Sequence, residues 1–121
     1  MSLHLELADF VDTSCADGLD RPVERKQDAI IVHLKNGVAL TVHYAAPDAY
    51  SLRWLHDGRS AGIDTAPLHR DLPTFPNHLH CANGSIASDP VTSPDARPED
   101  NLMRLIDLLN RNPNLGMAET G

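Results

Sequence analysis

Three histidines, His69, His78 and His80, fall within a dozen residues of one another and follow closely on a carboxylate, Asp64. An imidazole can move protons near neutral pH or ligate a metal, and a neighbouring carboxylate fixes which ring nitrogen carries the proton. The stretch reads Asp64-Thr65-Ala66-Pro67-Leu68-His69, then Phe75-Pro76-Asn77-His78-Leu79-His80. Pro67, Pro73 and Pro76 fix φ and push the residues before them toward extended geometry, so residues 66–81 are expected to form an ordered histidine loop. His78 and His80 on an extended segment point to the same side, a spacing that also suits metal ligation. His69 or Asp64 would complete a set of three donors; no cofactor is otherwise expected, and if a divalent ion is held its ligands are His78, His80 and His69. Cys81 follows His80 directly and faces the other way, which argues against cysteine nucleophilic catalysis. No Gly-rich phosphate loop or nucleotide fingerprint is present.

The elements that must position these groups are legible as antiparallel sheet. Ala29–Leu34 and Val38–Tyr44 are alternating, β-branched runs separated by Lys35-Asn36-Gly37. A two-residue loop would scatter their apolar residues over both faces. A three-residue turn with Gly37 left-handed pairs Leu34 with Val38, Val32 with Leu40 and Ile30 with Val42 on one face. Around Asp57-Gly58 the same test selects a two-residue loop, pairing Leu52 with Ile63 and Trp54 with Ala61 across Tyr50–His56 and Arg59–Thr65. Residues 45–49 supply the turn between the hairpins. The expected sheet spans about residues 29–65. Its far face carries His33, Thr41, His43, Arg53 and Asp64, an unusual set for a solvent-facing sheet, although plain exposure on a half-buried sheet would also account for it.

Helix is expected at the carboxy end. Pro98-Glu99-Asp100 opens a pattern in which Leu102, Leu105, Ile106 and Leu109 recur at helical spacing, and Pro113 ends it. This 98–112 helix packs on the apolar sheet face, giving an α+β fold in which an antiparallel meander is covered by a C-terminal amphipathic helix. Leu3-His4-Leu5-Glu6-Leu7 alternates as an added strand would, while a helix over residues 2–11 fits nearly as well. Residues 82–97 read as a long connection and 115–121 as a frayed tail.

The chain has 121 residues and two cysteines, Cys15 and Cys81. That length suits a single domain with its own core, and the cysteines match no paired-ligand spacing, so a soluble, cytoplasmic protein is expected. Its formal net charge of −7 is concentrated at the two ends. Residues 29–88 balance four acidic against four basic side chains and hold six of the seven histidines. Such a surface does not attract nucleic acid at long range, so contact with RNA would rest on a local cluster such as Arg53, Arg59 and Arg70.

The order of strand, Asp57-Gly58 turn, strand, Asp64-x-Ala66-Pro67-x-His69, Phe75-Pro76-x-His78-x-His80 and a terminal amphipathic helix resembles the TumE-like toxins of bacterial and archaeal toxin–antitoxin operons. The resemblance spans about residues 29–112. Thr65, Leu68, Asn77 and Leu79 stand where the family pattern has Asn, His, His and Lys. The resemblance implies a small intracellular toxin neutralised by an antitoxin protein, with RNA and a second copy of the chain as further candidate partners. By analogy it points to an endoribonuclease. Metal-independent cleavage needs a base for the 2′-OH, an acid for the leaving oxygen and a cation for the phosphorane. His78 and His80 would share the first two roles, or His69 would replace one of them. Arg53 or Arg70 would be the cation, and Asp64 would orient an imidazole. The alternative is a non-catalytic, degenerate toxin-like module that binds a protein partner.

Overall fold

Two turn sequences set the register of the whole sheet. In Lys35-Asn36-Gly37 the glycine has φ +96°, a left-handed conformation that disfavours side chains, and the amide of Leu34 donates to the carbonyl of Val38 at 2.9 Å. Asp57 and Gly58 both have positive φ, 57° and 78°, the geometry of a two-residue hairpin whose twist matches its strands. The expected pairings follow in full: Ile30 with Val42 and Val32 with Leu40, then Leu52 with Ile63 and Trp54 with Ala61.

The computed structural model describes residues 2–117. Helix α1 (Leu3–Ser14) precedes seven strands, β1 (Glu24–Arg25), β2 (Ile30–His33), β3 (Ala39–Ala46), β4 (Ala49–His56), β5 (Arg59–Asp64), β6 (His78–His80) and β7 (Ile86–Ser88), and helix α2 (Pro98–Arg111) closes the fold. The strands form one sheet in chain order, every neighbouring pair antiparallel.

Three local expectations are corrected, and of the two readings of the amino-terminal segment the helix is the one observed. Residues 3–7 belong to a helix, capped by Ser2, whose Oγ accepts the Leu5 amide at 3.2 Å; the Leu7, Ala8 and Val11 stripe is buried, and burial of that stripe outweighs the local alternation. The β3–β4 connection is tighter than five residues: Ala46 pairs with Ala49 around Pro47-Asp48, and a register shift lies between Tyr44 and Ala46. The connection over 82–97 contains β7. Residues 115–117 do not fray, since the Trp54 indole donates to the Leu115 carbonyl at 2.9 Å and Met117 is buried; residues 118–121 of the expected tail lie outside the described residues.

Both helices cover the same sheet face. Leu7 and Val11 from α1, and Leu102, Leu105, Ile106 and Leu109 from α2, join Val32, Leu40, Leu52 and Trp54 in one buried cluster. Each fully buried aliphatic side chain of this kind stabilises by ~1.5–3 kcal/mol. Asn36 binds the sheet to the helix directly, its Nδ2 donating to the Leu109 carbonyl at 2.9 Å. Arg25 pairs with Asp9 and Asp12 at 2.9 and 3.1 Å, holding β1 against α1. The opposite face keeps Thr41, Arg53 and Leu55 exposed.

Candidate functional site

Pairing of β5 with β6 brings the sequence motifs together. Asp64 lies opposite His78, Ile63 opposite Leu79 and Gly62 opposite His80. Because side chains alternate, Ile63 and Leu79 enter the core while Asp64, His78 and His80 share the other face. His78 and His80 are therefore strand residues rather than loop residues. The loop over 65–77 folds back across this end of the sheet, starting with the Ala66 amide donating to Asp64 Oδ1 at 3.0 Å, a turn that an aspartate side chain forms readily. His78 ends fully buried.

The three groups meet closely. The Nε2 atoms of His78 and His80 are 2.9 Å apart. Asp64 Oδ1 lies 3.0 Å from His78 Nε2 and Asp64 Oδ2 lies 3.0 Å from His80 Nε2. His78 Nδ1 faces the Pro76 carbonyl at 3.2 Å; a carbonyl only accepts, so this nitrogen carries a proton. His69 from the loop stands edge-on to His78, ring centroids 4.8 Å apart. The four expected residues thus converge. Of the two candidates for a third metal donor, Asp64 is the one grouped with the two imidazoles as possible ligands, whereas His69 makes a ring contact.

Arg53 reaches the site by register. It pairs with Gly62, which pairs with His80, so the three lie in one row of the exposed face. Strand spacing puts Arg53 and His80 roughly 10 Å apart along that row. Gly62 leaves the row open between them, and it is required there: a Cβ would stand 2.9 Å from the Leu52 carbonyl oxygen. Arg53 is exposed, and among the described residues it makes no ion pair. Arg70 is exposed on the loop beside His69, and among the described residues no hydrogen bond or ion pair joins it to the cluster.

Asn77 was missed as a positioning residue. Fully buried, it donates to the Tyr50 hydroxyl at 2.8 Å and to Asp89 Oδ2 at 2.9 Å, while Asp89 accepts the amides of Val91 and Thr92. Burial raises the Tyr50 pKa above its usual value, keeping its hydroxyl as a neutral partner in this network. The network locks the strand-like entry into β6 and so fixes where His78 and His80 stand. Polar residues in a loop look alike in sequence whether they face solvent or one another, so only a long-range contact could have revealed it.

A cleft of about 530 Å³ lies elsewhere, between residues 14–18 and α2, lined by Asp17, Asp100, Asp107, Met103 and Ile106 among others. It contains no histidine. Its Cys15 thiol is pushed up in pKa by burial and then by Asp107, which keeps it protonated and unreactive. The convergent imidazoles, not this cleft, mark the candidate active site.

The family described as Toxin TumE matches residues 5–110. The chain belongs to the TumE toxin family. It is therefore a toxin of a toxin–antitoxin system, and an antitoxin is its partner. No curated protein and no solved structure matches it. Among the described residues, no helix of this TumE-family protein is long and apolar enough to cross a membrane.

Proposed function

We propose that this toxin cleaves RNA by imidazole acid–base chemistry, acting in the cytoplasm. The carrying observation is the contact of Asp64 Oδ2 with His80 Nε2 at 3.0 Å, beside His78 and His69. An ionised Asp64 accepts the Nε2 proton of His80 and so leaves Nδ1 as the bare, basic nitrogen. The side chain of His80 is about one-third exposed (35%), whereas that of His78 is only 1% exposed. His80 thus supplies the base, and His78 spaces and orients the rings around it.

In the step proposed, His80 Nδ1 takes the proton of a 2′-OH and the 2′-oxygen attacks the adjacent phosphorus. The bond from phosphorus to the 5′-oxygen breaks, and that oxygen receives a proton from the His69 imidazolium. The products are a 2′,3′-cyclic phosphate and a 5′-hydroxyl. Arg53, across the gap above Gly62, offsets charge on the phosphorane.

The test is cleavage of a defined RNA by the purified toxin. His80→Ala should slow it by ~10²–10⁴-fold, as loss of a general base does, and Arg53→Ala by a smaller factor. Cleavage by His80→Ala at the parental rate would reject the mechanism. The second reading, a non-catalytic module holding a protein partner, draws support from the acidic cleft between residues 14–18 and α2. On that reading, growth arrest survives His80→Ala and is lost on charge reversal at Asp100 and Asp107.

A further inference from the structure

The contacts among Asp64, His78 and His80 have a proton problem. His78 Nδ1 already donates to the Pro76 carbonyl, so in the neutral ring Nε2 is a lone pair. It then faces Asp64 Oδ1 at 3.0 Å, lone pair against lone pair, in a buried position. Protonating His78 Nε2 repairs that contact and spoils another, because His80 Nε2 must also donate to Asp64 and the two N–H groups would then oppose one another across 2.9 Å. With Asp64 ionised, no placement of imidazole protons satisfies all three contacts. A single cation held between the two Nε2 atoms and the Asp64 carboxylate does.

We propose that Asp64, His78 and His80 bind one zinc-class divalent ion, and that the bound ion silences the imidazole chemistry. The donor set is two neutral nitrogens and one carboxylate oxygen, which suits zinc, cobalt or nickel rather than magnesium or calcium. Bonds of ~2.0–2.1 Å at tetrahedral angles space the ligand atoms roughly 3.3 Å apart; the two Nε2 atoms, 2.9 Å apart, need open by only a few tenths of an ångström, and each already has one Asp64 oxygen at 3.0 Å, Oδ1 for His78 and Oδ2 for His80. The outer contacts are already in place: Pro76 holds the far nitrogen of His78, and the Ala66 amide holds Asp64 Oδ1. Ligating histidines and carboxylates are ordinarily fixed in this way. Three protein donors leave a fourth position for water.

Silencing follows from the tautomer. An ion on His80 Nε2 displaces the proton from that atom, and the neutral ring then carries it on Nδ1, the atom that acts as base. The same histidine cannot hold the ion and accept the 2′-OH proton. This consequence rests on the RNA-cleavage reading; the binding itself does not.

The binding test uses Co²⁺ and Zn²⁺ with the full chain. One equivalent of Co²⁺ should develop the visible absorption of a four-coordinate ion, and one equivalent of Zn²⁺ should abolish it. His78→Ala removes a buried ring and can fail to fold, so the decisive variants are His80→Gln and Asp64→Asn, with folding checked by circular dichroism. Loss of an outer-contact residue weakens metal binding about 10–100-fold, so loss of a ligand should weaken it at least ~100-fold. No saturable band, or parental affinity in folded His80→Gln, would overturn the site. In the cleavage assay, one equivalent of Zn²⁺ should stop the reaction and a chelator should restore it. Unchanged cleavage by zinc-loaded toxin would overturn the silencing. A parent that binds the ion yet cleaves no RNA would overturn the acid–base reading and the silencing together, while the ion site stands.

Discussion

Two of the histidine pairs in this molecule, His4–His43 and His78–His80, are built on opposite principles. His4 from α1 and His43 from β3 lie with ring centroids 5.6 Å apart, and each ring has a backbone partner. The Tyr44 amide donates to His4 Nε2 at 3.0 Å, and His43 Nδ1 donates to the Asp28 carbonyl at 2.7 Å. His78 and His80 instead turn their Nε2 atoms toward each other and toward one carboxylate. The first pair is explained by the fold it stitches together. In the second, geometry concentrates donor atoms beyond what the fold uses. Proximity of two imidazoles is thus a poor guide to chemistry; what each ring nitrogen faces is the better one.

The sharpest way to break this contrast is growth arrest on expression without antitoxin. His80→Ala should relieve it, the ~10²–10⁴-fold rate loss being ample, whereas His43→Ala should leave it intact. Equal toxicity of the two variants would erase the distinction. A smaller effect is expected at the support of the second pair. Asn77→Ala takes one buried partner each from Asp89 and Tyr50, which keep their bonds to Thr92, and should cost ~1–3 kcal/mol, read as a lowered urea midpoint, with β6 and its histidines loosened.

The first pair predicts a change in stability alone. His4→Ala should lose about 1 kcal/mol with toxicity retained. The His4 pKa is lowered by burial and then by His43. A lowered histidine binds fewer protons folded than unfolded, so its contribution is complete above its ordinary value near 6.5 and is lost as pH falls below that value toward the folded pKa. The drop in thermal midpoint over this range should shrink in His4→Gln, and an unchanged profile would separate His4 from the titration. Least of all, Arg111→Ala removes an exposed pair with Asp107 and should cost under ~0.5 kcal/mol.

Sequence patterning carried the sheet further than the ends. Val32, Leu40, Leu52 and Trp54 announce their shared face because side chains alternate and only one turn length keeps them together. The α2 stripe from Leu102 to Leu109 is equally plain. Asp64, His69, His78 and His80 could be nominated because the register of β5 points Asp64 outward and the x-spaced histidines follow. What escaped was the short strand β7 and the Asn77–Tyr50–Asp89 network, whose partners lie 12 and 27 positions from Asn77. Strand β1, only two residues long, offers too little alternation to detect. The burial of His78 also escaped, since it depends on a loop folding over its own strand.

The sheet is laid down in chain order, and its cover is split between the first element and the last. As the polypeptide leaves the ribosome, the strands bearing Arg53, Asp64, His78 and His80 emerge before α2 does. Until that helix arrives, Leu40, Leu52 and Trp54 lack half of their lid, and the indole of Trp54 lacks the Leu115 carbonyl. The sheet face bearing Arg53, Asp64, His78 and His80 is thus synthesised ahead of the helix that completes the core beneath it.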